Sequence, residues 1–155
     1  MTDLEARIAK LEAIEAIKAL KHKYFNACDA KEADVVRACF LDDATIDAGP
    51  MGRYDSADAF IDLFKKAGCH PHIIDMHHGA NPEIDIVSDD RATAVWALYF
   101  HTMNTDAQTY RQMAGRYFDA YEFVGGAWKI ASSRFVPHSI LDGSLAALGT
   151  GGNGS

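Results

Sequence analysis

Two stretches, ATAVWALYFHTM at residues 92–103 and TYRQMAGRYFDAYEFV at residues 109–124, decide the fold of this 155-residue chain. Both are rich in β-branched and aromatic side chains, which favours long β-strands. Shorter stretches of the same kind precede and follow them: HIIDMHH at 72–78, EIDIVS at 83–88 and AWKIASSRFV at 127–136. Gly125 and Gly126 predict a tight hairpin turn before the last strand. The second half of the chain therefore predicts an antiparallel meander.

The first half of the chain follows a helical period instead. Apolar residues recur every three or four positions from Leu4 to Cys28, behind a capping box formed by Thr2 and Glu5. This pattern predicts one long amphipathic helix that ends near Asp29. The other elements predicted in this half are a helix over residues 33–40, a strand over 44–49, a loop or hairpin at GPMGRYD (49–55) and a helix over 56–67.

Helices followed by a long meander indicate an α+β fold with the helices on one face of the sheet. The two longest strands are too long for a small flat sheet, so we predict a cone-shaped, curled antiparallel sheet. About three N-terminal helices would pack on one face of it and enclose a pocket. We predict one domain over residues 1–148. The Gly-rich tail at 149–155 is predicted to be disordered.

Composition excludes several classes of partner. The net charge of −7 and the pI near 5.4 disfavour binding to nucleic acid or to an anionic membrane surface. No apolar run approaches the roughly 18 residues that span a bilayer. Cys28, Cys39 and Cys69 form an odd set without paired spacing, which predicts reduced thiols and a cytoplasmic protein.

Histidines carry the chemical signal, because the chain has no phosphate-binding loop, dinucleotide fingerprint or serine nucleophile elbow. His70, His72, His77 and His78 lie within nine residues, and His101 lies on a later strand. A metal site of two histidines and a carboxylate is one interpretation, although this spacing is not diagnostic. Structural roles are the alternative for His70 and His72, and also for His22 on the first helix.

A second interpretation pairs one histidine with a carboxylate, which would orient the imidazole and stabilise its protonated form. Asp29, at the inner end of the long helix, is the candidate carboxylate, although it would also serve as a simple helix-ending residue. Periodicity does not choose between His77 and His78, which face opposite sides of a strand. It even favours His78, which shares its face with Ile74 and Met76.

Three segments together resemble one family. They are IEAIKALKHKYFNACDAKEADVV (residues 14–36), DMHHGANPEIDIVSDDRATAVW (75–96) and RYFDAYEFVGGAWKI (116–130). In this order they are similar to the SnoaL-like superfamily of the nuclear-transport-factor-like fold. Within it they resemble bile acid 7α-dehydratases and, more distantly, scytalone dehydratases and hexachlorocyclohexane dehydrochlorinases. The resemblance implies that this protein is a cofactor-free lyase, in which a His–Asp pair removes a proton from a carbon atom of the substrate.

Carried onto this sequence, the resemblance implies that Asp29 and His77 form the catalytic pair and that Tyr24 lies in the pocket. It also implies a second catalytic group at His101, or Phe100 at that position if the register shifts by one. The late arginine of the bile acid enzymes is replaced by Pro137, with Arg134 as the nearest substitute.

We therefore predict a dehydratase-type lyase acting on a hydrophobic cyclic, aromatic or steroid-like hydroxy or keto compound, with no cofactor and no metal. The predicted substrate-binding residues are Trp96, Phe100, Met113, Arg134 and Phe135, with Leu98 beside them. One alternative is an isomerase or cyclase that uses the same base. Another is a non-catalytic module such as the small subunit of a ring-hydroxylating oxygenase. We also expect a homo-oligomer, a trimer by resemblance or otherwise a dimer.

Overall fold

The computed structural model describes residues 2–148, and the predicted disordered tail at 149–155 lies outside them. Helix α1 spans Asp3–Asp29 and begins with the predicted capping box. The Thr2 hydroxyl accepts a hydrogen bond from the Glu5 backbone N–H at 3.2 Å, and the Glu5 carboxylate accepts one from the Thr2 N–H at 2.6 Å. Only the second half of α1 is buried, so the apolar stripe is exposed in its first half. The exposed residues are Leu4, Ile8 and Leu11.

Two shorter helices complete the helical layer. Helix α2 spans Ala33–Ala38, two residues shorter than predicted, because Phe40 is buried as the first residue of strand β1, Phe40–Asp47. A 3-10 turn at Gly49–Met51 and the short strand β2, Arg53–Tyr54, follow. Helix α3, Ala57–Ala67, starts at Ser56, whose hydroxyl accepts a hydrogen bond from Ala59 N–H, and ends at Gly68.

The four long strands are β3 (Ile73–Ser88), β4 (Arg91–Asn104), β5 (Thr109–Val124) and β6 (Ala127–Ser144). They form one six-stranded sheet in the order β2-β1-β6-β5-β4-β3. The meander is antiparallel as predicted, and only β1 and β6 pair in parallel. The α+β prediction, with a curled, unclosed sheet and helices on one face, is confirmed.

The strand predictions were wrong in extent at two places in the meander, each beside a proline. Residues 72–78 and 83–88 form one strand, β3, with a register shift between Ala80 and Glu83. Pro82 fits there because β3 is an edge strand and the shift leaves no ladder bond for its missing N–H. Strand β6 continues past residue 136 because its antiparallel pairing with β5 runs on to Ser144. Its parallel pairing with β1 ends at Arg134, before Pro137.

The core lies between the helices and the inner face of the sheet. Trp96, Ile130 and Ile17 have no solvent-exposed surface, and Tyr121 is 1% exposed. Cys28 and Cys39 are buried free thiols, and Cys69 is half-buried. Within residues 2–148, we find no helix whose length and apolar character would let it cross a membrane.

Candidate active site

The last residue of α1 contacts the middle of β3. Asp29 Oδ1 lies 2.6 Å from His77 Nδ1, and the backbone N–H of His77 donates to both carboxylate oxygens, at 3.2 and 3.0 Å. One carboxylate therefore fixes both the strand and the imidazole ring. With Nδ1 held by Asp29, His77 Nε2 is the nitrogen left to meet a ligand.

Two aromatic rings hold the imidazole in place. Phe25 from α1 stacks on His77 with centroids 5.7 Å apart and planes at 18°, and Phe100 from β4 lies 4.5 Å away on the neighbouring strand. Phe25 can approach because residue 79 is glycine. A Cβ added at Gly79 would lie 2.1 Å from the Phe25 ring. The orientation of His77 thus depends on packing as well as on Asp29.

His77 lines a cavity of about 270 Å³ between the helices and the inner face of the sheet. Its walls are mainly apolar and aromatic. Predicted residues that line it are Tyr24, His77, Leu98, Phe100, Met113 and Phe135. Ile46 from β1 and Phe60 and Phe64 from α3 also line it, and sequence reasoning did not assign these three to the pocket. The sequence pattern that could have identified them is the apolar stripe of α3 and the alternation of apolar residues along β1.

Three predicted site residues lie elsewhere. His101 pairs with Met76 and Gln112 on the outer face, whereas Phe100 pairs with His77 on the inner face, so Phe100 holds the position facing the cavity. Arg134 is exposed, with its guanidinium 4.8 Å from the Phe118 ring. Trp96 points inward but is completely buried, and its indole N–H donates to the Tyr121 hydroxyl at 3.1 Å. Because Trp96 has no accessible surface, it does not contact a ligand in the cavity.

The remaining histidines of residues 70–78 do not line the cavity. The rings of His70 and His72 stack at 5.3 Å, and His70 Nε2 contacts the Lys66 carbonyl oxygen at 2.7 Å. His72 Nδ1 lies 3.3 Å from Asp106, and His78 is exposed on the outer face. Within residues 2–148, no three histidine, cysteine or acidic side chains lie close enough together to bind a metal ion.

A family model described as the SnoaL-like domain matches residues 9–134. The chain belongs to this family. The match includes both members of the Asp29–His77 pair and most of the cavity wall, and it places the SnoaL-like fold within the nuclear-transport-factor-like superfamily.

Known structures share this SnoaL-like fold at low sequence identity. A protein from Novosphingobium aromaticivorans DSM 12444, provisionally named scytalone dehydratase, is 21% identical at a TM-score of 0.81, covering 87% of this chain and 90% of its own. The hexachlorocyclohexane dehydrochlorinase LinA-type3 from Novosphingobium barchaimii LL02 is 19% identical at 0.78, covering 88% and 93%. A provisionally named aromatic ring hydroxylase from Novosphingobium aromaticivorans is 18% identical at 0.78, covering 86% and 94%.

Charged residues at the rim of the SnoaL-like cavity were missed in the sequence. Lys31, in the left-handed conformation with φ 61°, forms an ion pair with Asp75, two residues before His77. This ion pair ties the end of α1 to the strand that carries the imidazole. Arg111 also lines the cavity and binds Asp142 through Nε and Nη2, at 2.6 and 2.8 Å. Within residues 2–148 it is the arginine that reaches the cavity.

A buried polar cluster under the cavity was also missed. Lys21 Nζ lies 2.8 Å from Asp119 Oδ2, and neither side chain is exposed. Asp119 also accepts hydrogen bonds from the Tyr121 and Ser133 hydroxyls, both at 2.7 Å. A signal was present, since Lys21 stands on the apolar stripe of α1 between Ile17 and Tyr24. A charge at such a position requires a buried partner.

Proposed function

We propose that the protein is a lyase that removes water from a small hydrophobic hydroxy-ketone or related ring compound, with His77 as the base and without a cofactor. One observation carries this proposal: the Asp29–His77 pair opens onto an apolar cavity. Such a cavity excludes water and orients a hydrophobic substrate by shape. A paired imidazole is the group that general base catalysis requires.

The elimination would proceed in two steps. His77 Nε2 takes a proton from the carbon next to a carbonyl, and the electrons of the broken C–H bond form an enolate. The enolate then expels the hydroxyl group on the adjacent carbon, which takes a proton from the imidazolium and leaves as water. Asp29 would stabilise the imidazolium between the two steps, and Tyr24, which lines the same cavity, would donate to the carbonyl oxygen. Burial raises the pKa of Tyr24 well above its ordinary value, so this phenol stays a donor.

The size of the cavity narrows the class of substrate. About 270 Å³ is just below the range of roughly 300–1,000 Å³ that ligand pockets usually span. This volume favours a compound of one or two rings over a four-ring steroid. The SnoaL-like neighbours named as a dehydratase and a dehydrochlorinase support an elimination of this kind.

An isomerase or cyclase is the second candidate. In an isomerase the same base would take the proton and return it to a different carbon, and this reaction needs no other group. A non-catalytic role is the third, and the Asp29–His77 pair argues against it. A ligand-binding module has no use for an imidazole that is oriented by a carboxylate, itself held by the backbone N–H of the same histidine.

The test is a screen of hydroxylated tetralones, cyclic hydroxy-ketones and hydroxysteroids, with products followed by mass spectrometry. Loss of one water from a one- or two-ring compound supports the proposal, whereas an unchanged mass with a moved double bond supports the isomerase. His77→Ala is the negative control and His78→Ala its matched partner on the other face. Loss of activity after EDTA treatment, restored by one divalent ion, would refute the cofactor-free mechanism.

We also propose that the protein forms a homo-oligomer, a trimer or else a dimer. Apolar side chains on the outer face of the sheet are about half exposed: Ile74, Met76, Tyr99 and Leu141. The first half of α1 adds the exposed stripe of Leu4, Ile8 and Leu11. Such surfaces are usually covered in a soluble protein. A monomeric mass in light scattering at micromolar concentration would contradict this proposal.

We also propose a cytoplasmic location, because the three cysteines are free thiols and such thiols persist in a reducing compartment. Cell fractionation of the native host tests this placement, and recovery from an oxidising compartment would contradict it.

A further inference from the structure

One buried ammonium group faces two phenol rings at the floor of the cavity. Lys21 Nζ lies 3.8 Å from the ring centroid of Tyr117 and 4.9 Å from that of Tyr24. Lys21 is completely buried, and both tyrosines line the cavity that His77 also lines. The elimination described above assigns nothing to Lys21 or Tyr117.

Asp119 is the acidic partner of the buried Lys21. Asp119 Oδ2 lies 2.8 Å from Nζ, in a geometry outside that of a hydrogen bond, so the contact is an ion pair and the ammonium keeps unused donor capacity. Burial lowers the pKa of Lys21, and the Asp119 carboxylate opposes this change. The thiols of Cys28 and Cys39 are the other titratable groups that influence Lys21. Burial raises the pKa of both thiols, so they stay neutral.

Tyr117 is the more accessible phenol of the two. Tyr24 is only 5% exposed, whereas Tyr117 is half-buried and keeps more of its surface open. The Tyr117 ring is fixed by Phe135, with centroids 5.0 Å apart, and by Phe25 at 5.7 Å. Burial raises the pKa of Tyr117 above the usual range of a phenol, so its O–H is retained as a donor.

We infer that Tyr117 is a further catalytic residue, whose O–H binds the oxyanion of the substrate, and that Lys21 is a positioning residue that strengthens this donor. The ligand class is an enolate or phenolate oxygen attached to an apolar ring. A cation against the face of a phenol ring fixes the ring and polarises its O–H bond. Tyr24, one turn beyond Lys21 on α1, is the donor that the proposed elimination already assigns to this oxygen, and Tyr117 would be the second one. This inference deepens the proposed function and rests on it.

Binding of 4-nitrophenol tests the oxyanion site without any turnover, because its neutral and ionised forms absorb at different wavelengths. We expect the wild-type protein to bind the ionised form preferentially at a pH where the free probe is half ionised. Tyr117→Phe should weaken this binding at least about 10-fold, since a single oxyanion donor is worth more than that in catalysis. It should change the affinity for neutral 4-nitrotoluene far less. Tyr99→Phe, the same change on the outer face, is the matched control.

Lys21→Met should reduce the preference for the ionised probe while Tyr117 is still present. Because this variant leaves Asp119 buried without its cation, the Lys21→Met/Asp119→Asn double variant provides a neutral pair of similar size. It should show the same reduction in a protein with native circular dichroism. An unchanged preference in the folded double variant would remove Lys21 from the inference.

The oxyanion site and the base are separable in this assay. His77→Ala should lower the elimination rate by roughly 10²–10⁴ and keep the preference for 4-nitrophenolate. Loss of the preference in His77→Ala but not in Tyr117→Phe would show that a protonated imidazole holds the anion and would overturn the inference. Failure of the wild-type protein to bind the ionised probe would overturn it as well. Neither result would decide whether the protein eliminates water.

Discussion

The inner and outer faces of the curled sheet carry neighbouring residues with different consequences. Phe100 and Phe135 reach the cavity, whereas His101 and Arg134, next to them in sequence, lie on the outer face. His101 and Arg134 carry functional groups that are common in active sites, but a polar side chain alone does not define an active site. What distinguishes the inner face is that α1 packs over it and supplies Lys21, Tyr24 and Asp29.

The first prediction compares His77 with its neighbour on the opposite face. His77→Ala and Asp29→Asn should each lower the elimination rate by roughly 10²–10⁴, the range of general base catalysis. The Asp29→Asn effect arises because the amide keeps the shape but cannot stabilise an imidazolium. The double variant should be little worse than the more damaged single variant, since the pair acts as a unit. Steady-state kinetics on a screened substrate measures all three.

His78→Ala is the control and should leave the rate nearly unchanged. Activity lost in His78→Ala and kept in His77→Ala would reverse the assignment of faces on β3. Full activity in all folded variants would instead remove the elimination mechanism.

Local sequence patterns predicted the main elements of the fold but not which histidine pairs with Asp29. The meander, the long helix and the turn at Gly125 and Gly126 followed from local patterns, and both glycines indeed have positive φ, 61° and 84°. The partner of Asp29 did not follow, because the contact joins residues 48 apart and depends on which face of β3 turns inward. The usual rule that apolar side chains point inward failed there.

Ile74 and Met76 are the residues on which this rule failed. They point outward on β3 and are exposed, whereas Asp75 and His77 on the other face of the strand line the cavity. The family resemblance supplied His77, but it also suggested His101 and Arg134, whose positions depend on register. The position of Lys21 on an apolar stripe indicated a buried charge. The sequence did not indicate its partner Asp119, which lies 98 residues later.

The second prediction concerns alkaline pH and the inner face. Burial raises the pKa of Tyr24, Tyr117, Tyr121 and Cys28 in the folded protein. Above the ordinary values of 9.0 for cysteine and 10.0 for tyrosine, the unfolded chain releases protons that the native chain keeps. The free energy of unfolding should therefore fall as the pH rises above about 10, where the tyrosines of the unfolded chain ionise, by up to about 1.4 kcal/mol per group and pH unit.

Lys21 acts in the opposite direction, because its lowered pKa makes the unfolded chain the stronger proton binder up to its ordinary value of 10.5. Between about pH 9 and 10, of these four acids only the Cys28 thiol opposes Lys21, so the free energy of unfolding should change little there. Above about pH 10 the three tyrosines also contribute, and the net slope is negative. Tyrosinate absorbance and circular dichroism should change together during alkaline unfolding. If the tyrosines ionise well before the secondary structure is lost, the inner face is open to solvent and this account is wrong.

The third prediction compares two glycines on opposite faces. Gly79→Ala places a methyl group 2.1 Å from the enclosed Phe25 ring and should lower the free energy of unfolding by about 1–3 kcal/mol. It should also reduce activity, because Phe25 stacks on His77. Gly143→Ala meets the Tyr110 side chain at a similar 2.4 Å, but Tyr110 lies on the outer face and can move.

Thermal and urea unfolding measure both variants, and the Gly143→Ala change should cost less than Gly79→Ala. A Phe25→Leu change added to Gly79→Ala should recover part of the lost stability by making room for the methyl group. Equal losses in both glycine variants would mean that enclosure by α1 does not decide the cost.

The smallest effects are expected from His101→Ala and Arg134→Ala on the outer face. Neither side chain lines the cavity, and the Arg134 guanidinium makes its contact with the exposed Phe118 ring. Each change should alter the free energy of unfolding by less than about 0.5 kcal/mol. Each should change the elimination rate by no more than about twofold, which is the factor that corresponds to this free energy.

Light scattering should accompany the kinetics, because His101 lies among the apolar residues proposed to meet a second copy. A changed mass with an unchanged rate per subunit would assign His101 to that interface. A rate loss of 10-fold or more at constant mass would mean that His101 reaches the substrate, and the division between the two faces would then be wrong.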